Sequence, residues 1–120
     1  MNHPRVILVE DEPLVALMME DLLIDLGCEI AASFSSLSPA LAWLAAQVRL
    51  PDGAVLDVNL GGGETVFPLA LALRARGVPF VFATGYGVLP SEGFDETPLI
   101  LKPVDPGKLI PVIKAFGAAA

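Results

Sequence analysis

Apolar runs of strand length alternate along the chain with longer stretches in which apolar residues recur at helical spacing. Strands buried on both faces read as continuous apolar runs, so this alternation predicts repeated β-α units and a parallel sheet covered by helices on both sides. The expected fold class is α/β, doubly wound, with five strands. Arg5 to Val9 reads as the first strand, and Pro13 to Leu26 as a helix with proline in its first turn and Gly27 just past its end. Ile30 to Phe34 reads as the second strand. Ser38 and Pro39 open a second helix through about Val48, and the turn "LPDG" leads into a third strand, Ala54 to Asp57. A helix to about Arg76 follows, closed by Gly77, with Pro68 in its first turn because interior proline breaks helices. Pro79 to Ala83 is the fourth strand and Leu99 to Leu101 the fifth. Between them, "TGYGVLPSEGFDETP" has the place of a fourth helix, but Gly87, Pro90 and Gly93 predict a short or distorted one. Asp105 and Pro106 then cap and start a last helix, which Pro111 is expected to bend or break early.

Composition narrows the function classes. The 120 residues suffice for one domain and one core, so a single domain without a separate output module is expected. Hydrophobic residues make up 54% and the mean hydropathy is +0.67, which excludes disorder. The chain carries no apolar run long enough to span a membrane and no signal-peptide core in "MNHPRV", which reads as a cytosolic protein with no membrane role. Seven basic residues against fourteen acidic give a net charge of -7, the wrong sign for a partner with a phosphate backbone, so no nucleic acid is expected. The single cysteine, Cys28, excludes a disulfide scaffold and reads as a small buried hydrophobe.

Against this apolar background, "VILVEDEPLV" runs from a strand straight into Glu10, Asp11 and Glu12. In an open parallel sheet the carboxyl ends of the strands form the site. The other strand ends supply Asp57, Thr84 and Lys102. Acids gathered on one rim repel one another unless a cation sits among them; a hard divalent ion such as Mg²⁺, with few carboxylates and several waters, suits oxygen donors and leaves room for a phosphate. Asp57 is then a nucleophile for a phosphoryl group, whose oxygens the ion, the Lys102 ammonium and the Thr84 hydroxyl neutralise. Singly, each residue has a plainer role. Asp11 and Glu12 suit a helix N-terminus, Asp57 a turn, Thr84 a strand and Lys102 a solvated strand end. Their joint register on four strand ends is what helix capping does not require.

The segments "VILVEDEP", "VLDVNL", "FATGYG" and "LKPVD", in this order and spacing, resemble the receiver domain of two-component response regulators over the whole chain. The resemblance implies the flavodoxin-like, CheY-like strand order 2-1-3-4-5. It implies that Asp57 is the phosphoacceptor, Asp11 a direct ligand of Mg²⁺ and Glu10 an outer ligand through water, with the Asn59 backbone carbonyl completing the metal set. It makes Thr84 the switch hydroxyl, Lys102 its cationic partner, and the bond before Pro103 a cis peptide. One position departs from the family: three residues before the lysine, where a switch aromatic is usual, stands Leu99. Together with "FATGYG", this resembles the FAT GUY subgroup of receivers, found among alphaproteobacterial single-domain and stress-response regulators. The expected readout is movement of the Thr84 to Gly93 loop, with Tyr86 swinging near the phosphate.

A histidine kinase or histidine phosphotransfer protein is the expected donor, and a downstream regulator protein a further partner. Leu14, Val15, Met18, Pro103 and Val104 form the expected docking face, with Val15 and Met18 alternatively serving the core. Trp43 is expected to pack its helix on the sheet. No enzymatic turnover beyond self-dephosphorylation is expected. Two other readings stand beside this one. A phosphohydrolase of the haloacid-dehalogenase type uses the same Asp, Thr, Lys and magnesium chemistry, but needs an acid where Asn59 stands. A degenerate receiver serving as an interaction module would not need the acids, the threonine and the lysine together.

Overall fold

Every residue of the strand Gly53–Asp57 (β3) and of Phe80–Thr84 (β4) is buried, as are all but the first of Arg5–Val9 (β1). These three form the middle of a five-stranded parallel sheet, flanked by Glu29–Phe34 (β2) and the three-residue Leu99–Leu101 (β5) in the order β2-β1-β3-β4-β5. The computed structural model describes residues 3–85 and 93–119, with side chains as far as Gly117. The remaining elements are the helices Pro13–Asp25 (α1), Leu37–Ala46 (α2), Phe67–Ala75 (α3) and Pro106–Ala119 (α4). The doubly wound fold and its strand order are thus as expected. Among the described residues no helix is long and apolar enough to cross a membrane.

Strand alternation divides the apolar residues between two cores. Ile7, Val9, Ala54, Leu56, Phe80 and Phe82 face one side, where Ala40 and Leu44 of α2 and Leu69, Ala70 and Leu73 of α3 cover them. Val6, Leu8, Val55, Val81 and Ala83 face the other, beneath Met19 and Leu23 of α1 and Leu109, Ile113 and Phe116 of α4. Trp43 packs against the first core, 5.9 Å ring to ring from Phe34, and Cys28 is buried in the second as a free thiol.

Glycine ends two helices in the same way. Gly27 (φ 95°) and Gly77 (φ 75°) take the left-handed conformation, and the N–H groups of Gly27 and Cys28 bond Ile24 and Leu23 carbonyls as those of Gly77 and Val78 bond Arg74 and Leu73. These are Schellman closures, and each pairs two buried side chains across the end: Leu23 with Cys28 and Leu73 with Val78. Asp105 caps α4 as expected, its carboxylate accepting the Gly107 N–H at 2.9 Å.

Three expectations are corrected. The second helix spans Leu37–Ala46, beginning before Ser38 and ending before Val48. Gln47 is already extended, its side chain donates to the Trp43 carbonyl, and Arg76 from the end of α3 donates to the carbonyls of Leu44 and Gln47. These last carbonyls are satisfied from outside, and Val48, fully exposed, has no packing to continue the helix. The last helix is not broken at Pro111 but runs on to Ala119. Its proline forfeits one hydrogen bond at a cost of about 3 kcal/mol, while buried Leu109, Ile113 and Phe116 contribute roughly 1.5–3 kcal/mol each. Strand β4 begins at Phe80 and includes Thr84 as its last residue. The expected short or distorted fourth helix falls largely on 86–92, outside the described residues; from Gly93 to Pro98 the chain makes turns.

Gly53 shows how closely α4 lies on the sheet, because a Cβ there would sit 2.3 Å from the Phe116 ring. Gly53→Ala is expected to destabilise the protein by about 1–3 kcal/mol in chemical denaturation, and Phe116→Leu added to it to recover part of the loss. Unchanged denaturation midpoints in the single variant would contradict this packing.

Candidate functional site

Parallel register brings the strand ends level: Val9 lies beside Leu56, Asp57 beside Ala83 and Thr84 beside Leu101. The next residues along β1 and β5 are Glu10 and Lys102, so chemistry from residue 10 to residue 102 collects on one rim. Among the described residues the buried polar or charged side chains are Glu10 (3% exposed), Asp57 (8%) and Thr84 (1%), all on this rim. Burying such groups is unfavourable unless they are paired, which marks the rim as a built site.

The backbone around it is pinned. Glu10 N–H donates to the Phe34 carbonyl at 2.9 Å, and Lys102 N–H to that of Thr84 at 2.9 Å. Carboxylate oxygens of Glu10, Asp11 and Asp57 lie within 4.8 Å of one another. The Lys102 ammonium pairs with Glu10 and lies 3.5 Å from Asp57 Oδ2, while the Glu12 N–H donates to Glu10 at 3.2 Å. Glu12 stands outside the three-acid group. It precedes α1 as its cap residue, with its side chain exposed and making no capping bond. A cavity of about 520 Å³ opens onto the site, lined by Asp11, Asp57, Asn59, Thr84 and Lys102, with Glu12 and two glycines at its border. The bond between Lys102 and Pro103 is cis.

Crowding is written into the ionisation of the site. Burial, hydrogen bonding with Asp11 and the charge of Glu10 push the Asp57 carboxyl from its usual 3.8 up to about 7, against the opposing pull of Lys102. For Lys102 burial works to lower the pKa, but its bond to Glu10 and the charges of Asp57 and Glu10 outweigh it, so the ammonium is held more firmly than usual. Three hard oxygen donors under mutual repulsion, with one lysine insufficient to neutralise them, fit a divalent cation well.

The structure therefore brings Asp11, Asp57, Asn59, Thr84 and Lys102 to one cavity, with Glu10 joined to the group through Lys102 and the two aspartates. Tyr86 lies outside the described residues. The expected docking residues surround a second cavity of about 510 Å³, lined by Val15, Met18, Met19, Leu22, Lys102, Pro103 and Val104. Met18 is 64% exposed and Leu14 71%, so neither belongs to the core, and Leu14 stands outside that lining. Sequence reasoning did not find the Glu10–Lys102 pair. Their separation of 92 residues leaves no local signal for it.

Several solved structures resemble this one. SdrG from Sphingomonas melonis Fr1 is 37% identical with a TM-score of 0.81, the match covering 97% of this chain and 98% of that one. The BeF3-activated conformation of SdrG from Pseudomonas melonis Fr1 is 38% identical with a TM-score of 0.75, over 96% and 98% of the two chains. The REC domain of the response regulator PhyR from Erythrobacter litoralis is 26% identical with a TM-score of 0.79, over 99% and 91%. No family model matches the chain, and no curated protein does.

The raised Asp57 pKa makes metal-free stability depend on pH. A carboxyl titrating near 7 in the folded chain and near 3.8 in the unfolded one stabilises the fold fully below 3.8, and that contribution is lost as pH rises through about 7. Asp57→Asn removes this dependence. In chelator-treated protein the wild type is expected to lose stability relative to Asp57→Asn across this window, by up to about 1.4 kcal/mol per pH unit. Parallel curves of denaturation midpoint against pH would refute the assignment.

Proposed function

The chain belongs to the receiver domains of two-component response regulators, and from that membership we propose that Asp57 accepts a phosphoryl group from a phosphohistidine on a histidine kinase or phosphotransfer protein. The observation that carries this reading is the convergence of three carboxylates within 4.8 Å, with the Lys102 ammonium 3.5 Å from the acceptor, at the floor of an open cavity. Asp57 Oδ attacks phosphorus in line; the O–P bond forms as the N–P bond breaks, and the electron pair leaves with the imidazole nitrogen.

Asp11, Asp57 and the Asn59 backbone carbonyl would hold Mg²⁺, with Glu10 acting through water. Bound there, the ion supplies the positive charge that keeps Asp57 ionised at neutral pH and offsets the phosphoryl oxygens. The Lys102 ammonium and the Thr84 hydroxyl each take a further phosphoryl oxygen. Lys102 then exchanges part of its interaction with Glu10 for the new dianion. Thr84 and Tyr86 carry the change of state to a protein partner, and the domain signals by contact or passes the phosphate on rather than turning over a substrate. The apolar cavity beside Met18 and Val104 supports docking of the donor's helix there, with Lys102 bordering both cavities.

Incubation with acetyl phosphate and Mg²⁺ is expected to label wild-type protein on Asp57 and to leave Asp57→Asn unlabelled, with chelation abolishing the reaction. Lys102→Met is expected to slow labelling on the order of 10²-fold. Label on another residue, or labelling indifferent to Mg²⁺, would overturn the reading. Met18→Glu changes an exposed side chain. It is expected to slow transfer from a phosphorylated phosphotransfer domain at least about tenfold while acetyl phosphate labelling is unchanged, and equal rates from both donors in variant and wild type would remove the docking face.

A further inference from the structure

Residues 58–66, which join β3 to α3, form a small hairpin. Asn59 pairs antiparallel with Thr65, Val66 N–H donates to the Val58 carbonyl at 3.0 Å, and Leu60 N–H to that of Glu64 at 2.9 Å. Its tip is Gly61, Gly62 and Gly63, all left-handed with φ of 84°, 59° and 80°. Among the described residues, a Cβ at Gly62 or Gly63 would meet nothing within 4 Å. Yet this hairpin borders the acid cluster: Asn59 and Gly61 line the cavity, and a Cβ at Gly61 would lie 3.5 Å from Asp11 Oδ2.

Beyond the buried base of Val58, Leu60 and Val66, a polar tie reaches out from the hairpin. Glu64 Oε1 accepts the Leu37 N–H at 2.9 Å, in the first turn of α2. That helix has Ser36 at its cap position without a side-chain capping bond. The acid 27 residues away performs the cap instead, where the helix dipole also favours a negative charge.

We propose that Glu64 is a positioning residue of the acceptor site: by capping α2, its carboxylate fixes the β3–α3 hairpin and holds Asn59 and Gly61 in place beside Asp11 and Asp57. The inference rests on the reading of the site as magnesium-binding in one of its two readouts and not in the other. A cap that served only to stabilise α2 would affect melting and leave the site's ion affinity alone.

The test compares full-length wild type, Glu64→Ala, Glu64→Gln and, as a control, Asp52→Ala, which removes the carboxylate bond to the Arg5 N–H at the opposite end of the sheet. In metal-free protein, Glu64→Ala is expected to speed amide hydrogen exchange at Leu60 and Val66 roughly fivefold beyond any change at β1 amides. In a Mg²⁺ titration followed by amide shifts, its dissociation constant is expected to rise roughly tenfold. Glu64→Gln keeps an acceptor oxygen and is expected within about twofold of wild type on both measures, and Asp52→Ala to lower the melting temperature without moving the Mg²⁺ affinity. Wild-type Mg²⁺ affinity in Glu64→Ala, or an equal loss in Asp52→Ala, overturns the proposal. Should wild type itself bind no Mg²⁺, the metal reading fails, and unchanged hairpin exchange in Glu64→Ala then independently refutes the hairpin's dependence on Glu64.

Discussion

The ion pair of Lys102 with Glu10, set beside Asp57, is the constraint on which the site depends. Three carboxylates at the mouth of a parallel sheet are an unfavourable charge density, and burial sharpens it. One ammonium satisfies Glu10 and leaves Asp57 partly compensated, with a carboxyl titrating near neutrality at about 7. The folded chain is thereby under electrostatic tension, relieved by additional positive charge in the cavity. Glu10 and Asp57 share the same lysine, so the charge balance of each depends on the other.

The sheet makes this arrangement possible by being apolar on both faces. The two cores enclose β1, β3 and β4, and at the carboxyl ends Asp57 and Thr84 line the cavity while Glu10 pairs with Lys102, which lines it too. The first core also fastens the chain on the far side of residues 86–92. Phe94 stacks on Phe67 at 5.2 Å and meets Phe82 edge-on at 5.4 Å, with the Arg74 guanidinium 4.5 Å over its ring. Leu99 is half-buried against the same core. Aromatic mass near β5 is thus supplied by Phe94 from the preceding turn, and none stands on the strand itself at that position.

Loop and helix are coupled beside Asp57 too. The β3–α3 hairpin contributes Asn59 and Gly61 to the cavity that Asp57 lines, while a Cβ at Gly62 or Gly63 of its tip would meet nothing within 4 Å. Its buried base and the Glu64 contact with α2 connect the site to a helix that otherwise belongs to the first core. Site geometry and core packing are in this sense one structure, joined through backbone N–H groups that helices leave unsatisfied.

The sequence by itself determined the order of strands and helices, the glycine stops at Gly27 and Gly77, and the placement of Glu10, Asp11, Asp57, Thr84 and Lys102 at strand ends. These are local properties: hydrophobic period, turn chemistry and capping are read within a few residues, and parallel strands bury continuous apolar runs wherever they occur. Only the tertiary structure decided that Lys102 pairs with Glu10, that Glu64 caps a helix it does not belong to, that Arg76 ends α2 at Ala46, and that the last helix survives Pro111. Each of those outcomes is a contest between a local preference and a partner distant in the chain. The partner wins because burial and charge pairing in the folded interior are worth more than the one or two hydrogen bonds that local rules protect.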